Sequence, residues 1–187
     1  ADMYTTKSQY TNGLLGYWQF DEGHGTVATD KARLRHITLP SQNAWWINGD
    51  NYAMPLDGTK TMAVNIGNLN TTSSEDYLVE TWFKADAQQN GIASVLSTNK
   101  MDLRLNAQGQ MELLLGNVGD ATANNTTMVY NKDLRDGQWH HLAVSALKST
   151  GGGNIYIDGQ QYKQIAASVM PELFGDKLLL GGRRLQT

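Results

Sequence analysis

Glu80, Trp82 and Lys84 alternate along Tyr77 to Lys84, so on a strand they share one face. Retaining glycoside hydrolysis needs two carboxyls about 5 Å apart. Two and four residues beyond Glu80 the chain has Trp and Lys instead of a second acid. A lone carboxylate cannot serve as both acid and nucleophile, so the pattern argues against that hydrolase and leaves Glu80 on an outward strand face. The four histidines are His24, His36, His140 and His141. No Gly-x-Ser-x-Gly elbow and no His-Glu-x-x-His occurs. His140 runs in phase with Leu142 and Val144, which reads as a hydrogen-bonded core histidine. His141 shares its face with Trp139 and is a candidate ligand contact. Gly151-Gly152-Gly153 precedes a strand and lacks the Lys-Ser/Thr of a phosphate loop.

Two further constellations suit binding. Asp21, Glu22 and Asp30 flank a loop with Gly23 and Gly25, where carbonyls can turn inward. Hard cations want several oxygens, so Asp21 and Asp30 are the expected ligands of one structural calcium. An ordinary acidic turn is the other reading. Pyranose rings present apolar C–H faces and hydroxyl edges, which suit exposed aromatic side chains beside polar ones. The carbohydrate-binding candidates are Trp45, Trp46, Trp82, Glu80 and His141. Trp45 and Trp46 are adjacent, so on a strand one of them faces outward. The competing reading packs these tryptophans in the core or under a loop.

Elements must position these side chains, and the chain's patterning is that of short strands. Trp139 to Ala146 splits over two faces after an Asp136-Gly137 turn, and Asn154 to Ile157 ends in Asp158-Gly159, a strong hairpin signal. Similar runs cover Leu14 to Phe20, Ile37 to Leu39, Ala53 to Leu56, Met62 to Ile66, Tyr77 to Lys84, Ile92 to Ser97, Met101 to Leu105, Met111 to Leu115, Thr126 to Tyr130, Gln160 to Ile165 and Lys177 to Leu180. A helical turn is expected near Pro171, but no amphipathic helical period persists. The expected class is all-β, with two antiparallel sheets packed face to face. Trp18, Phe20, Val79, Phe83, Leu142, Val144, Ile155 and Ile157 should lie between them.

With 187 residues the chain can bury one sizeable core. It has no cysteine, which excludes a disulfide framework, thiol catalysis and Cys-ligated zinc. Net charge is −3 with interspersed signs, so no basic stripe serves nucleic acid. No apolar run reaches membrane-span length, so no membrane insertion is expected. Nothing in the sequence specifies an oligomeric state.

Several motifs, in order, carry a resemblance. Leu15-Gly16-Tyr17-Trp18-Gln19-Phe20-Asp21-Glu22-Gly23 opens the series, and Pro55-Leu56-Asp57-Gly58 and Val79-Glu80-Thr81-Trp82-Phe83-Lys84 follow. Asp136-Gly137-Gln138-Trp139-His140-His141, Ile155-Tyr156-Ile157-Asp158-Gly159 and Leu179-Leu180-Gly181-Gly182 complete it. Together they resemble laminin G-like domains of the concanavalin A-like lectin/glucanase superfamily. The resemblance implies a jelly-roll sandwich over residues 13–187, lacking its last strand, with residues 1–12 as a linker or edge segment. It also implies an extracytoplasmic location, often one calcium, and a non-catalytic binding or adhesion role, with glycan the leading ligand and a cell-surface partner the other. A spacer of a larger cell-surface protein without its own ligand is the alternative. A glycoside hydrolase would need the paired carboxylates that glucanases of this fold carry on one strand.

Overall fold

The computed structural model of the chain describes residues 13–39, 46–48, 51–56, 62–64, 76–118, 125–147, 151–166 and 178–182. Among them the strands are β1 (Val27–Ala28), β2 (Ile37–Thr38), β3 (Trp46–Asn48), β4 (Asn51–Ala53), β5 (Met62–Val64), β6 (Tyr77–Lys84) and β7 (Ala93–Ser97). They continue as β8 (Met101–Leu105), β9 (Gln110–Leu115), β10 (Thr126–Asp133), β11 (Trp139–Leu147), β12 (Gly152–Ile157), β13 (Gln160–Ile165) and β14 (Leu178–Leu180). One sheet has six strands in the order β10-β9-β8-β7-β14-β5, and the other has four in the order β13-β12-β11-β6. Two short pairs, β1-β2 and β3-β4, form separate two-stranded sheets, and Ala28 and Ile37 of the first join the common core. Every named pairing is antiparallel. The chain is an all-β sandwich, as its patterning predicts, although the second sheet is narrower than an even division of strands would make it.

Period-2 alternation places the core. Leu142, Val144, Ile155 and Ile157 are buried and face Met101, Leu103, Met111 and Leu113 of the larger sheet within one cluster. Each buried aliphatic side chain contributes about 1.5–3 kcal/mol relative to exposure. Phe83 is buried, while Trp18, Phe20 and Val79 pack partly buried against the same cluster. Turns sit where the sequence puts them. Asp158 (φ 51°) and Gly159 (φ 76°) both adopt the left-handed backbone that a two-residue hairpin between β12 and β13 requires.

Two expected strands differ: β4 ends at Ala53, so Met54 to Leu56 are not in a strand, and the strand from Leu14 is absent. Leu14 to Phe20 forms only a single bridge, Trp18 to Asp30. Phe20 turns the chain at φ 56°, and the Trp18 indole folds back over Gly16, where any Cβ would collide with it. The Trp18 side chain is held by its Nε1–H, which donates to the Arg35 carbonyl at 2.9 Å. At the rim between the sheets, Tyr162 is the extra residue of a bulge in β13. Its hydroxyl donates to the Val129 carbonyl of β10, and its ring meets Tyr130 edge-on at 4.8 Å. That contact ties β13 and β10, the edge strands of the two sheets, together. Residues 1–12 and the expected helical turn near Pro171 lie outside the described residues.

Candidate functional site

The outer face of the four-stranded sheet gathers three of the five sugar-binding candidates. Pairing of β6 with β11 sets Trp82 opposite His141, Glu80 opposite Ala143 and Lys84 opposite Trp139. Across β11, Ala143 meets Tyr156 and Ser145 meets Asn154. Beyond them Gln161 pairs with Tyr156 and Gln164 with Asn154. Ala143 is only 5% exposed, so the larger side chains of the neighbouring strands close over the β11 part of this face and leave Trp82 as its prominent exposed surface.

Trp82 is 52% exposed, although large aromatics usually bury most of their surface. Its indole leans on the His141 ring, with centroids 5.0 Å apart and planes at 45°. His141 Nε2 lies 3.5 Å from Glu80 Oε2 and is buried without a hydrogen-bond partner. Trp139 Nε1 on the same β11 face is also buried and unpartnered. Unsatisfied polar atoms of this kind cost about 1–3 kcal/mol each unless something pairs with them. Trp45 lies outside the described residues. Trp46 belongs to β3, in a hairpin apart from this sheet, and is not brought to this face by any described pairing. Trp139, Tyr156 and Asn154 were not among the candidates read from sequence. Their alternation with Leu142, Ile155 and Ile157 was visible there, but the adjacency of β6 to β11, nearly 60 residues on, was not.

His140 faces the other way and is a core histidine, as its phase predicts. Its Nδ1 stands 2.9 Å from Asp158 Oδ2 and its Nε2 3.1 Å from Asp136 Oδ1. Asp158 also accepts the His141 backbone N–H at 2.9 Å. Burial alone would raise the Asp158 pKa, but the bonds from His140 and His141 outweigh it and hold the carboxyl below its ordinary value. Asp136 is lowered by the Gln138 amide and by His140. The imidazole thus joins the turn before β11 to the hairpin after β12 at the end of the candidate face.

The acidic loop is built differently from the calcium expectation. Asp30 is fully buried and bridges to Trp18. Its Oδ1 accepts the Tyr17 and Ala32 amides at 2.8 Å each, and its Oδ2 accepts those of Arg33 at 3.1 Å and Arg35 at 3.0 Å. Burial pushes its pKa up, and the four amides together pull it below the ordinary value. Two donors on each oxygen use its lone pairs, so Asp30 does not fit a cation. Asp21 pairs instead with Lys31 at 3.3 Å, and Glu22 accepts the Thr29 amide at 2.7 Å. Among the described residues no group of three or more His, Cys, Asp or Glu side chains could hold a metal.

A laminin G family model of the concanavalin A-like lectin/glucanases superfamily matches residues 57–186. The chain belongs to this superfamily. The match takes in β6, β11 and β12, hence the whole candidate face, while the Asp30 loop lies ahead of it. No curated protein sequence matches significantly. Among solved structures, the receptor binding domain of botulinum neurotoxin C/D mosaic serotype superposes with a TM-score of 0.63 at 12% identity, over 89% of this chain and 43% of that one. The binding domain of Paraclostridial Mosquitocidal Protein 1 gives 0.62 at 11% identity, over 84% and 42%. The ligand binding domain of botulinum neurotoxin serotype D, in complex with N-acetylneuraminic acid, gives 0.60 at 14%, over 82% and 40%. At these identities the likeness is one of fold, and the chain spans about two-fifths of the length of each of these structures.

Proposed function

We propose that the chain is a non-catalytic glycan-binding module of an extracytoplasmic protein, with its sugar seated on the outer face of β6, β11 and β12. The observation that carries this reading is the half-exposed Trp82 indole, resting on His141 beside Glu80. An indole supplies the apolar surface for a pyranose face, and the partly exposed Glu80 carboxylate beside it accepts from its hydroxyls. The solved relative with N-acetylneuraminic acid supports sugar recognition within this fold class. Among the described outer-face residues of this sheet Glu80 is the sole acid, so paired-carboxylate hydrolysis lacks its second group there. On the other sheet, Asp102 and Glu112 both lie against Arg104, at 3.7 and 2.9 Å, and Asp102 is fully buried, so it does not meet a substrate at the surface.

A glycan array followed by calorimetry tests the reading. Binding to at least one glycan class is expected, and Trp82→Ala should weaken it about tenfold, equivalent to about 1.4 kcal/mol. Because Trp82 is half exposed, its melting curve should move little. Absence of binding across the array would leave a spacer without its own ligand, and turnover of a β-glucan that Glu80→Gln abolishes would make the chain a hydrolase.

A further inference from the structure

The loop between β1 and β2 presents a different surface. Its backbone is held by three amide bonds to the buried Asp30 carboxylate, from Ala32, Arg33 and Arg35, and a fourth from Tyr17 ties it to the chain ahead of β1. At its tip Leu34 holds φ at 60° and is 77% exposed. Left-handed backbone disfavours a residue with a Cβ, and glycine or asparagine is the ordinary occupant. A leucine there is strained and in water at once, and strained, exposed side chains of this kind point to a contact made elsewhere. Arg33 and Arg35 flank it. The Arg33 Nε–H donates to the Leu14 carbonyl at 3.1 Å and Arg35 Nη1 to the Leu15 carbonyl at 3.3 Å. These bonds hold both guanidinium groups, on the residues either side of Leu34, against the Leu14 and Leu15 backbone without neutralising them. Among the described residues neither pairs with a carboxylate, because the loop's own acid is committed to amides and Asp21 is paired with Lys31.

We propose that this tip is a peripheral docking point for an anionic lipid surface, with Leu34 entering the interfacial region and Arg33 and Arg35 meeting headgroup phosphates. Among the described residues of this loop Leu34 is the one large apolar side chain that is exposed, less than the apolar core that a protein partner buries. A bilayer interface takes such a point, because its apolar zone lies just beneath a layer of phosphates that attracts the flanking cations. The chain's net charge of −3 opposes approach, so attraction rests on this local cluster. The contact is peripheral and involves no span, and it stands independently of the glycan reading.

Sedimentation of the chain with vesicles of phosphatidylcholine alone, and with about 30% phosphatidylserine, tests it. Partition into the anionic vesicles at millimolar lipid is expected, weakening with added salt. Leu34→Gly should lower the partition coefficient about tenfold or more. Glycine relieves the backbone at this φ, so its melting temperature should hold or rise, which separates lost docking from lost folding. Arg33→Gln should lower partition about fivefold. Equal partition of Leu34→Gly and the parent chain overturns the proposal, as does absence of binding to anionic vesicles. Retention on immobilised polyglutamate with no partition into either vesicle would assign the tip to an acidic protein partner instead.

Discussion

Asp30 spends its acceptor capacity on the backbone. Four amide donors around one buried carboxylate set the course of the chain from Tyr17 to Arg35. Asp30→Asn keeps the shape but turns an NH2 group toward two of those amides. The substitution should lower unfolding free energy by about 3 kcal/mol, read from a urea midpoint. Millimolar calcium should leave the melting temperature of both proteins unchanged. A calcium-dependent rise in the parent that Asp30→Asn removes would return Asp21 and Asp30 to the role of ligands. The sequence showed the acids and the glycines of this loop. It did not show that the donors around Asp30 would be amides, since backbone direction after Phe20 depends on a left-handed residue that sequence does not announce. Trp82 and Glu80 were legible as an outward pair by parity alone. That His141 lies under the Trp82 ring required the pairing of two strands distant in sequence.

Local elements were the most readable. β8 and β13 span the residues that alternation and turn signals mark out, because hairpin register is fixed by the turn itself. Non-local order was opaque: β14 lies between β7 and β5, a position that no neighbouring residue specifies. The β12–β13 turn is where local and tertiary demands meet. Gly159→Ala places a Cβ at φ 76° and should cost about 1 kcal/mol in chemical denaturation. Asp158→Ala should cost more, because the His140 ring and the His141 amide both lose their acceptor. If the two variants cost the same, the clasp between the turn and His140 adds nothing to the hairpin's own conformational preference.

At the scale of the whole molecule, carboxylates hold the loops to the sheets, which sets the response to acid. Asp30, Asp136 and Asp158 are all held below the ordinary carboxylate pKa of 3.8. Asp133, clasped by Arg135, is lowered to about 2, but it is exposed and its share is correspondingly screened. A depressed folded-state pKa means that the unfolded chain takes up protons first as pH falls. Stability from these groups is therefore complete above the unfolded value, near pH 4, and is lost as pH drops through the lower folded values. Their contribution to the melting temperature should be full and constant between neutrality and about pH 5, and the melting temperature should then fall steeply below about pH 4. Asp158→Asn starts lower at neutral pH and should fall with a shallower slope, because one linked proton is gone. A melting temperature that rises on acidification below about pH 4 would mean that these carboxylates are no more acidic in the folded chain than in the unfolded one. The hydrogen bonds that define the Asp30 loop and the His140 clasp would then not be the ones that hold the molecule together.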